Sequence, residues 1–322
     1  MKTFIIVNPT AGRGKGLKLV PSIEARLKSL GLDYVLHISE SPAAPAELTR
    51  QAIAGGFQLI VAGGGDGTCQ AVATAILGVD SSPVAKPKDG DRCEISPPVA
   101  AGQRVSSAGT LPLFGILPMG RGNDLAHGLG VPADPLDACQ VFRSGRPTDL
   151  DMGVASNGKM FLNVAGAGFD AEVNRYANRI RWFKGNLVYL LAIFVKLATF
   201  RAAQFTLHHD GGTWRGKAMM VAVGNSRYYG GGLFVAPQAL PDDGLFDIVI
   251  IGDLSRMEFI RAFPTVYKGT HIHHPKVQTF RTRSITIDCD APYCSYADGD
   301  FLSELPVSLE LFPRAIKVLV PS

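Results

Sequence analysis

The 322-residue chain is long enough for two domains, each able to bury a core of its own. Apolar residues at 46% against 19% charged exclude overall disorder, and 36 Gly with 21 Pro mark a turn-rich globular protein rather than a collagen-like or low-complexity one. A net charge of +4 permits an anionic ligand or membrane surface but gives no reason to expect nucleic acid.

The first 78 residues alternate strand and helix, the pattern of a parallel sheet with flanking helices. Thr3 to Val7 is an apolar run stopped by Asn8-Pro9. Leu17 to Leu30 carries a helical period and ends at Gly31. A strand is predicted over Asp33 to His37, a helix over Ala44 to Ala54, a strand over Gln58 to Ala62 and a helix over Thr68 to Leu77. Residues 79–110 lose all period in Ser, Pro, Gly, Lys and Asp, and read as a flexible insertion. Order resumes with a strand at Pro112 to Leu117 and helices at Leu125 to Leu129 and Asp134 to Ser144.

The later texture is β-rich. Strands are predicted over Thr148 to Ala155, Lys159 to Ala165, Gln204 to His209, Gly216 to Val223, Leu245 to Ile251, Ser284 to Cys289 and Pro306 to Val320, interrupted by helices at Gly185 to Thr199 and Ser255 to Tyr267. The expected division is residues 1–135 as an α/β nucleotide-binding domain and 136–322 as a mainly-β, sandwich-like domain, with the last segment free to return to the first. Five scattered cysteines without a C-x-x-C pair predict neither disulfides nor a zinc ribbon and fit a reducing compartment. The apolar start is too short for a signal peptide, and Gly185 to Phe200 too short to span a bilayer, so a cytoplasmic protein is expected.

Three loops follow predicted parallel strands and so share the carboxyl edge of the sheet, where such folds bind ligands. Asn8-Pro9-Thr10-Ala11-Gly12-Arg13-Gly14-Lys15-Gly16 has neither P-loop nor dinucleotide spacing, yet it offers backbone N–H groups and two cations at a helix start. A plain strand-to-helix turn with solvated cations reads equally well. In Gly63-Gly64-Gly65-Asp66-Gly67-Thr68 the absence of side-chain bulk lets backbone approach phosphates, and Thr68 is placed to cap the helix. Asp66 would repel phosphate unless a metal ion or a transferable proton uses it. Gly120-Arg121-Gly122-Asn123-Asp124 repeats the design, although Asp124 could simply cap its helix.

With N-P-x-x-G at Asn8 to Gly12, G-G-D-G-T at Gly64 to Thr68, L-P-x-G-x-x-N-D at Leu117 to Asp124 and the late Asp298-Gly299, the chain resembles the diacylglycerol kinase catalytic-domain superfamily over nearly its whole length. Gly230-Gly231-Gly232 and the Asp242-Asp243-Gly244-Leu245-Phe246 turn add support. The resemblance implies a phosphofructokinase/NAD kinase-like α/β domain, a β-rich lipid-binding domain, and transfer of the γ-phosphoryl of ATP to the hydroxyl of a lipid such as diacylglycerol, a sphingoid base or ceramide. ATP is then expected against Asn8, Pro9, Thr10, Gly12, Gly64, Gly65, Asp66, Gly67, Thr68, Gly120 and Asn123, with Lys15 or Arg121 near its phosphates. Mg²⁺ is expected at Asp66 and Asp124, and a second, structural Mg²⁺ at Asp243 with the carbonyls of Leu240 and Leu245, where a bare hairpin turn is the alternative.

By the same resemblance the lipid hydroxyl's proton goes to a carboxylate from Asp298, Asp300 or Asp66. The family's Asp-Gly-Glu reads Asp298-Gly299-Asp300 here, one methylene shorter at the last position. Arg121 stands where Thr is common, and His127 where Arg is frequent. Two other functions stay open on the residues: a soluble-metabolite kinase of the NAD kinase type, and a weakly catalytic ATP- or lipid-binding regulator. The basic and aromatic stretch Arg179 to Arg201 reads either as an interfacial helix, giving peripheral membrane contact, or as a core helix with snorkelling cations; the oligomeric state is open.

Overall fold

The structure, a computed structural model, describes residues 1–78, 111–179 and 186–322; the insertion read at 79–110 lies outside them. The chain divides into two compact units, one of Met1–Met152 with Phe312–Ser322 and one of Gly153–Leu311.

In the first unit, β1 (Thr3–Val7), α1 (Ala11–Ser29), β2 (Tyr34–Ile38), α2 (Ala44–Ala54), β3 (Leu59–Gly64), α3 (Asp66–Ile76), β4 (Leu113–Pro118) and α4 (Asp124–Gly128) follow in order. The single helix expected over 134–144 is two short ones, α5 (Pro135–Ala138) and α6 (Val141–Ser144), with Cys139 and Gln140 between them. The parallel sheet runs β2–β1–β3–β4 and takes the end of β15 (Val307–Val320) beside β4, Val318 opposite Phe114. Ile5, Ile6, Leu59, Ile60, Val61 and Phe114 are wholly buried, because helices cover the sheet: α1 supplies Ile23 and Leu27, α2 Ala52, and α3 Val72 and Ala73. Register decides what happens at the edge. Val7 pairs with Gly63 and Gly63 with Leu117, so the chains leaving β1, β3 and β4 start at one level.

The chain passes out of this unit within β5 (Arg146–Ala155). The second unit holds β6 (Met160–Phe161), β7 (Val164–Gly168), α7 (Phe169–Arg179), α8 (Asn186–Thr199), β8 (Ala203–His209), β9 (Gly212–Gly224), β10 (Phe246–Gly252), α9 (Arg256–Val266), β11 (Val277–Thr282), β12 (Ser284–Cys289), β13 (Cys294–Ala297) and β14 (Asp300–Glu304), and a 3₁₀ turn at Thr270–His273. Its strands are antiparallel: β9 lies between β7 and β10 over one part of its length and pairs β8 over the other. Side chains alternate in destination along β9 and β10, with Val221, Val223, Ile248 and Ile250 entering one apolar core and Met220, Ala222 and Val249 the other. The second core is roofed by Phe169 and Val173 of α7 and Ala192 and Leu197 of α8. Among the described residues no helix is long and apolar enough to cross a membrane.

Candidate active site

The first glycine turn is built around Asn8. Its Oδ1 accepts from the Thr10 N–H at 3.0 Å and the Thr10 hydroxyl at 2.8 Å, closing a side-chain turn, while its Nδ2 donates to Thr68 Oγ1 at 3.1 Å. α1 begins at Ala11, six residues before the helical period in the sequence, and absorbs the glycines. Gly12 and Gly14 hold φ of +58° and +80° there, which a side chain would resist. No acid stands in the first turn of α1 and no side chain caps it, so its N–H groups keep an anion-receptive character. The side chains of Arg13 and Lys15 lie outside the described residues.

In the second turn the N-cap of α3 is Gly65, in extended conformation, and Thr68 is already inside the helix. The capping role expected for Thr68 is therefore corrected: its hydroxyl receives Asn8, tying the first turn to the second. Gly64 must lack a side chain, since a Cβ there would lie 2.3 Å from Thr68 Oγ1.

The third turn presses against the second. The N–H groups of Met119 and Gly120 donate to Gly64 O at 2.9 and 3.1 Å, and a Cβ on Gly120 would stand 2.4 Å from Gly65 Cα. Asn123, left-handed at φ 52°, accepts the Gly120 N–H at 2.8 Å and holds the N-cap position of α4 without a side-chain capping bond, and Asp124 lies inside the helix rather than capping it. Asp124 is buried at the start of α4, and Asp66 Oδ1 accepts from the adjacent Leu125 N–H at 3.1 Å. Thus the three turns are joined to one another, bringing small residues, backbone amides and the Asp66 carboxylate together beside the start of α4, where Asp124 stands. Arg121 is exposed. Asp66 and Asp124 are hard oxygen donors of the kind Mg²⁺ takes when phosphate oxygens complete its shell.

In the second unit, Asp298 and Asp300 are differently employed. Asp298 sits at φ 50° between β13 and β14, and its carboxylate accepts from the N–H groups of Leu162 at 2.7 Å, Asn163 at 3.0 Å and Val164 at 3.2 Å. It pins the entry of β7. Asp300 opens β14 with surface exposed, yet protein packed around its carboxyl raises its pKa above the ordinary aspartate value; Lys159 nearby offsets part of that. Lys159 Nζ donates to Phe301 O at 2.8 Å.

The second cation site expected at Leu240, Asp243 and Leu245 meets a competitor. Asp243 accepts from Leu245 N–H at 3.1 Å and is ion-paired with Arg281, which also holds Asp247 at 3.1 Å. A cation there must share or displace that guanidinium. No cluster of three or more His, Cys, Asp or Glu side chains suited to a metal occurs among the described residues. Sequence reading passed over Asp170 and Glu172 of α7, both buried. Burial lifts the Asp170 pKa to about 7, and Glu172 pairs with Arg175 at 2.6 Å and Lys196 at 2.8 Å. Phe169, Val173, Tyr176 and Ala177 at helical spacing were the available signal for that helix.

The profile described as "Diacylglycerol kinase catalytic domain" matches residues 2–155, and "YegS C-terminal NAD kinase beta sandwich-like domain" matches 163–320. A diacylglycerol kinase of Mycobacterium tuberculosis (strain ATCC 25618 / H37Rv) is 33% identical over 326 residues, covering 99% of this chain and 95% of the relative. The chain belongs to the diacylglycerol kinase family. As a member it is an enzyme, a kinase of a lipid alcohol, and ATP as phosphoryl donor goes with that class. A diacylglycerol kinase of Bacillus subtilis (strain 168) is 25% identical, covering 98% of this chain and 95% of the relative. The crystal structure of a Bacillus anthracis str. Sterne diacylglycerol kinase superposes with a TM-score of 0.70 at 21% identity, covering 99% of this kinase and 96% of that chain, and shares its fold.

Proposed function

We propose that this kinase moves the γ-phosphoryl group of ATP onto a free hydroxyl of diacylglycerol, with Mg²⁺ as the accompanying ion. The observation that carries it is the joining of three glycine turns through Asn8–Thr68, Gly64–Gly120 and Asp66–Leu125. Backbone N–H groups of the first and second turns, with Lys15 and Arg121, would receive the phosphate oxygens. Asp66 and Asp124 would hold Mg²⁺, which when bound neutralises the charge gathering on the transferring group.

The acceptor's proton is assigned to Asp300. Asp298 already spends its oxygens on three N–H groups, and Asp66 is engaged at Leu125. Asp300 has exposed surface and a raised pKa, the property that strengthens a carboxylate as a general base. The reach lost by Asp in place of Glu falls on this residue, so Asp300→Glu should sustain turnover, whereas Asp300→Asn should abolish it.

Incubation with γ-labelled ATP and Mg²⁺ against diacylglycerol, sphingosine, ceramide and NAD tests the assignment. Label is expected in phosphatidic acid. Label in NAD alone, or in no lipid, overturns it.

A further inference from the structure

The outer face of α9 has no work in the site just described. Its inner residues Phe259 and Val266 pack on the second core, and Phe259 meets Phe169 edge-on at 4.9 Å. Facing away are Met257, Ile260 and Tyr267, exposed at 57, 46 and 59%, with exposed Pro264 between them. At 3.6 residues per turn these four positions fall within an arc of roughly 80°. A helix with no fully buried residue and so much apolar surface turned outward departs from the polar face that a water-facing helix normally presents.

The charges around the stripe are one-sided. Arg256, Arg261 and Lys268 are all exposed at its margins. The nearby acids are engaged: Glu258 with Lys276 at 2.9 Å and with the Ser255 N–H, and Asp253 with Lys217 at 3.0 Å. Arg256 also donates to Ala198 O, tying the start of α9 to the end of α8, a helix that exposes Leu191 and Phe194 at 51 and 52% in its middle turns. Lys196 of α8, by contrast, is committed to Glu172, and Arg256, Arg261 and Lys268 are the described cations beside the stripe.

From this arrangement we infer that the Met257–Ile260–Pro264–Tyr267 face of α9 is a docking surface for an anionic lipid bilayer, lying in the interface with Arg261 and Lys268 at headgroup level. The apolar stripe supplies partition into the acyl boundary, and the cations supply attraction that salt weakens. This rests on the lipid-kinase function proposed above, since an enzyme whose acceptor resides in a membrane must meet that membrane with some face.

The test is co-sedimentation of the full-length protein with vesicles of phosphatidylcholine alone or mixed with phosphatidylglycerol, at low and high salt. Wild type is expected on the mixed vesicles, less at high salt and less on the neutral ones. Met257→Ser/Ile260→Ser/Tyr267→Ser should lower partition by roughly tenfold or more, and Arg261→Glu/Lys268→Glu should remove the preference for phosphatidylglycerol. Both variants should keep the wild-type Tm and the wild-type rate on a short-chain diacylglycerol dispersed in detergent micelles. Equal partition of wild type and the triple variant overturns the inference. So does loss of a wild-type dimer in the variant with vesicle binding unchanged, which would assign the stripe to self-association. Vesicle binding as expected without phosphorylation of any lipid leaves the docking face standing and removes the proposed function; turnover in micelles with unaltered variant partition does the reverse.

Discussion

Asp298 and Asp300 stand two positions apart and should fail in different ways. Asp298→Ala leaves three N–H groups of residues 162–164 without their acceptor, a loss of about 2–3 kcal/mol of stability that thermal unfolding would register as several degrees. Asp300→Asn removes a carboxylate with no such structural load. Its Tm should hold while turnover falls by about a hundredfold or more. Because the Asp300 pKa lies above that of a free aspartate, turnover should decline on acidification at a pH above the ordinary carboxylate range. Asp170 gives a purely thermodynamic prediction. Its carboxyl is buried without a well-formed hydrogen bond, the backbone N–H groups of Ala171 and Asp170 offset only part of the cost of burial, and its pKa rises from 3.8 to about 7. The folded state therefore holds a proton that the unfolded chain gives up: stability is full below pH 4 and is lost as pH rises toward 7, by an amount on the order of a few kcal/mol. Asp170→Asn should show a higher Tm than wild type at pH 8 and converge with it near pH 4; a pH-independent difference would exclude this origin.

At the scale of elements, the closeness of two loops is the quantity at risk. Gly120→Ala inserts a methyl 2.4 Å from Gly65 Cα and 2.7 Å from Asn123 Oδ1, so the third turn must back away from the second. Nucleotide titration should show affinity weaker by roughly tenfold, about 1.4 kcal/mol. The strands feeding these loops were plain in the sequence, because a strand covered on both faces is a continuous apolar run stopped by turn residues, as Thr3 to Val7 is by Asn8-Pro9. Helix α1 starts earlier than its apolar period because Gly12, Gly14 and Gly16 carry no hydropathy signal while still coiling. Strands β11, β13 and β14 escaped notice for opposite reasons: β11 exposes Gln278, Thr279 and Arg281, and the other two are only four and five residues long. Helix α7 is mostly polar, and its stripe at 169, 173, 176 and 177 was outweighed by Asp, Glu, Asn and Arg.

Over the whole chain, the motifs were legible and their partners were not. Glycine turns after strands declare a ligand edge by residue type alone, so Gly64, Asp66, Gly120 and Asp124 could be named before any coordinates. That Thr68 receives Asn8, that Asp66 reaches Leu125, and that Arg281 stands on Asp243 depend on residues 60, 59 and 38 positions apart, and no local period encodes such pairs. The family expectation drawn from four ordered motifs agrees with a relative 33% identical across 99% of the chain. The central claim is that this kinase passes the γ-phosphoryl group of ATP to diacylglycerol with the carboxylates of Asp66 and Asp300 each required, and the initial rate of label transfer from γ-labelled ATP to diacylglycerol in mixed micelles with Mg²⁺ tests it most directly. Wild type should form phosphatidic acid, while Asp66→Asn and Asp300→Asn each fall by about a hundredfold or more at unchanged Tm; a wild-type rate from either folded variant, or no transfer by the wild type, contradicts it.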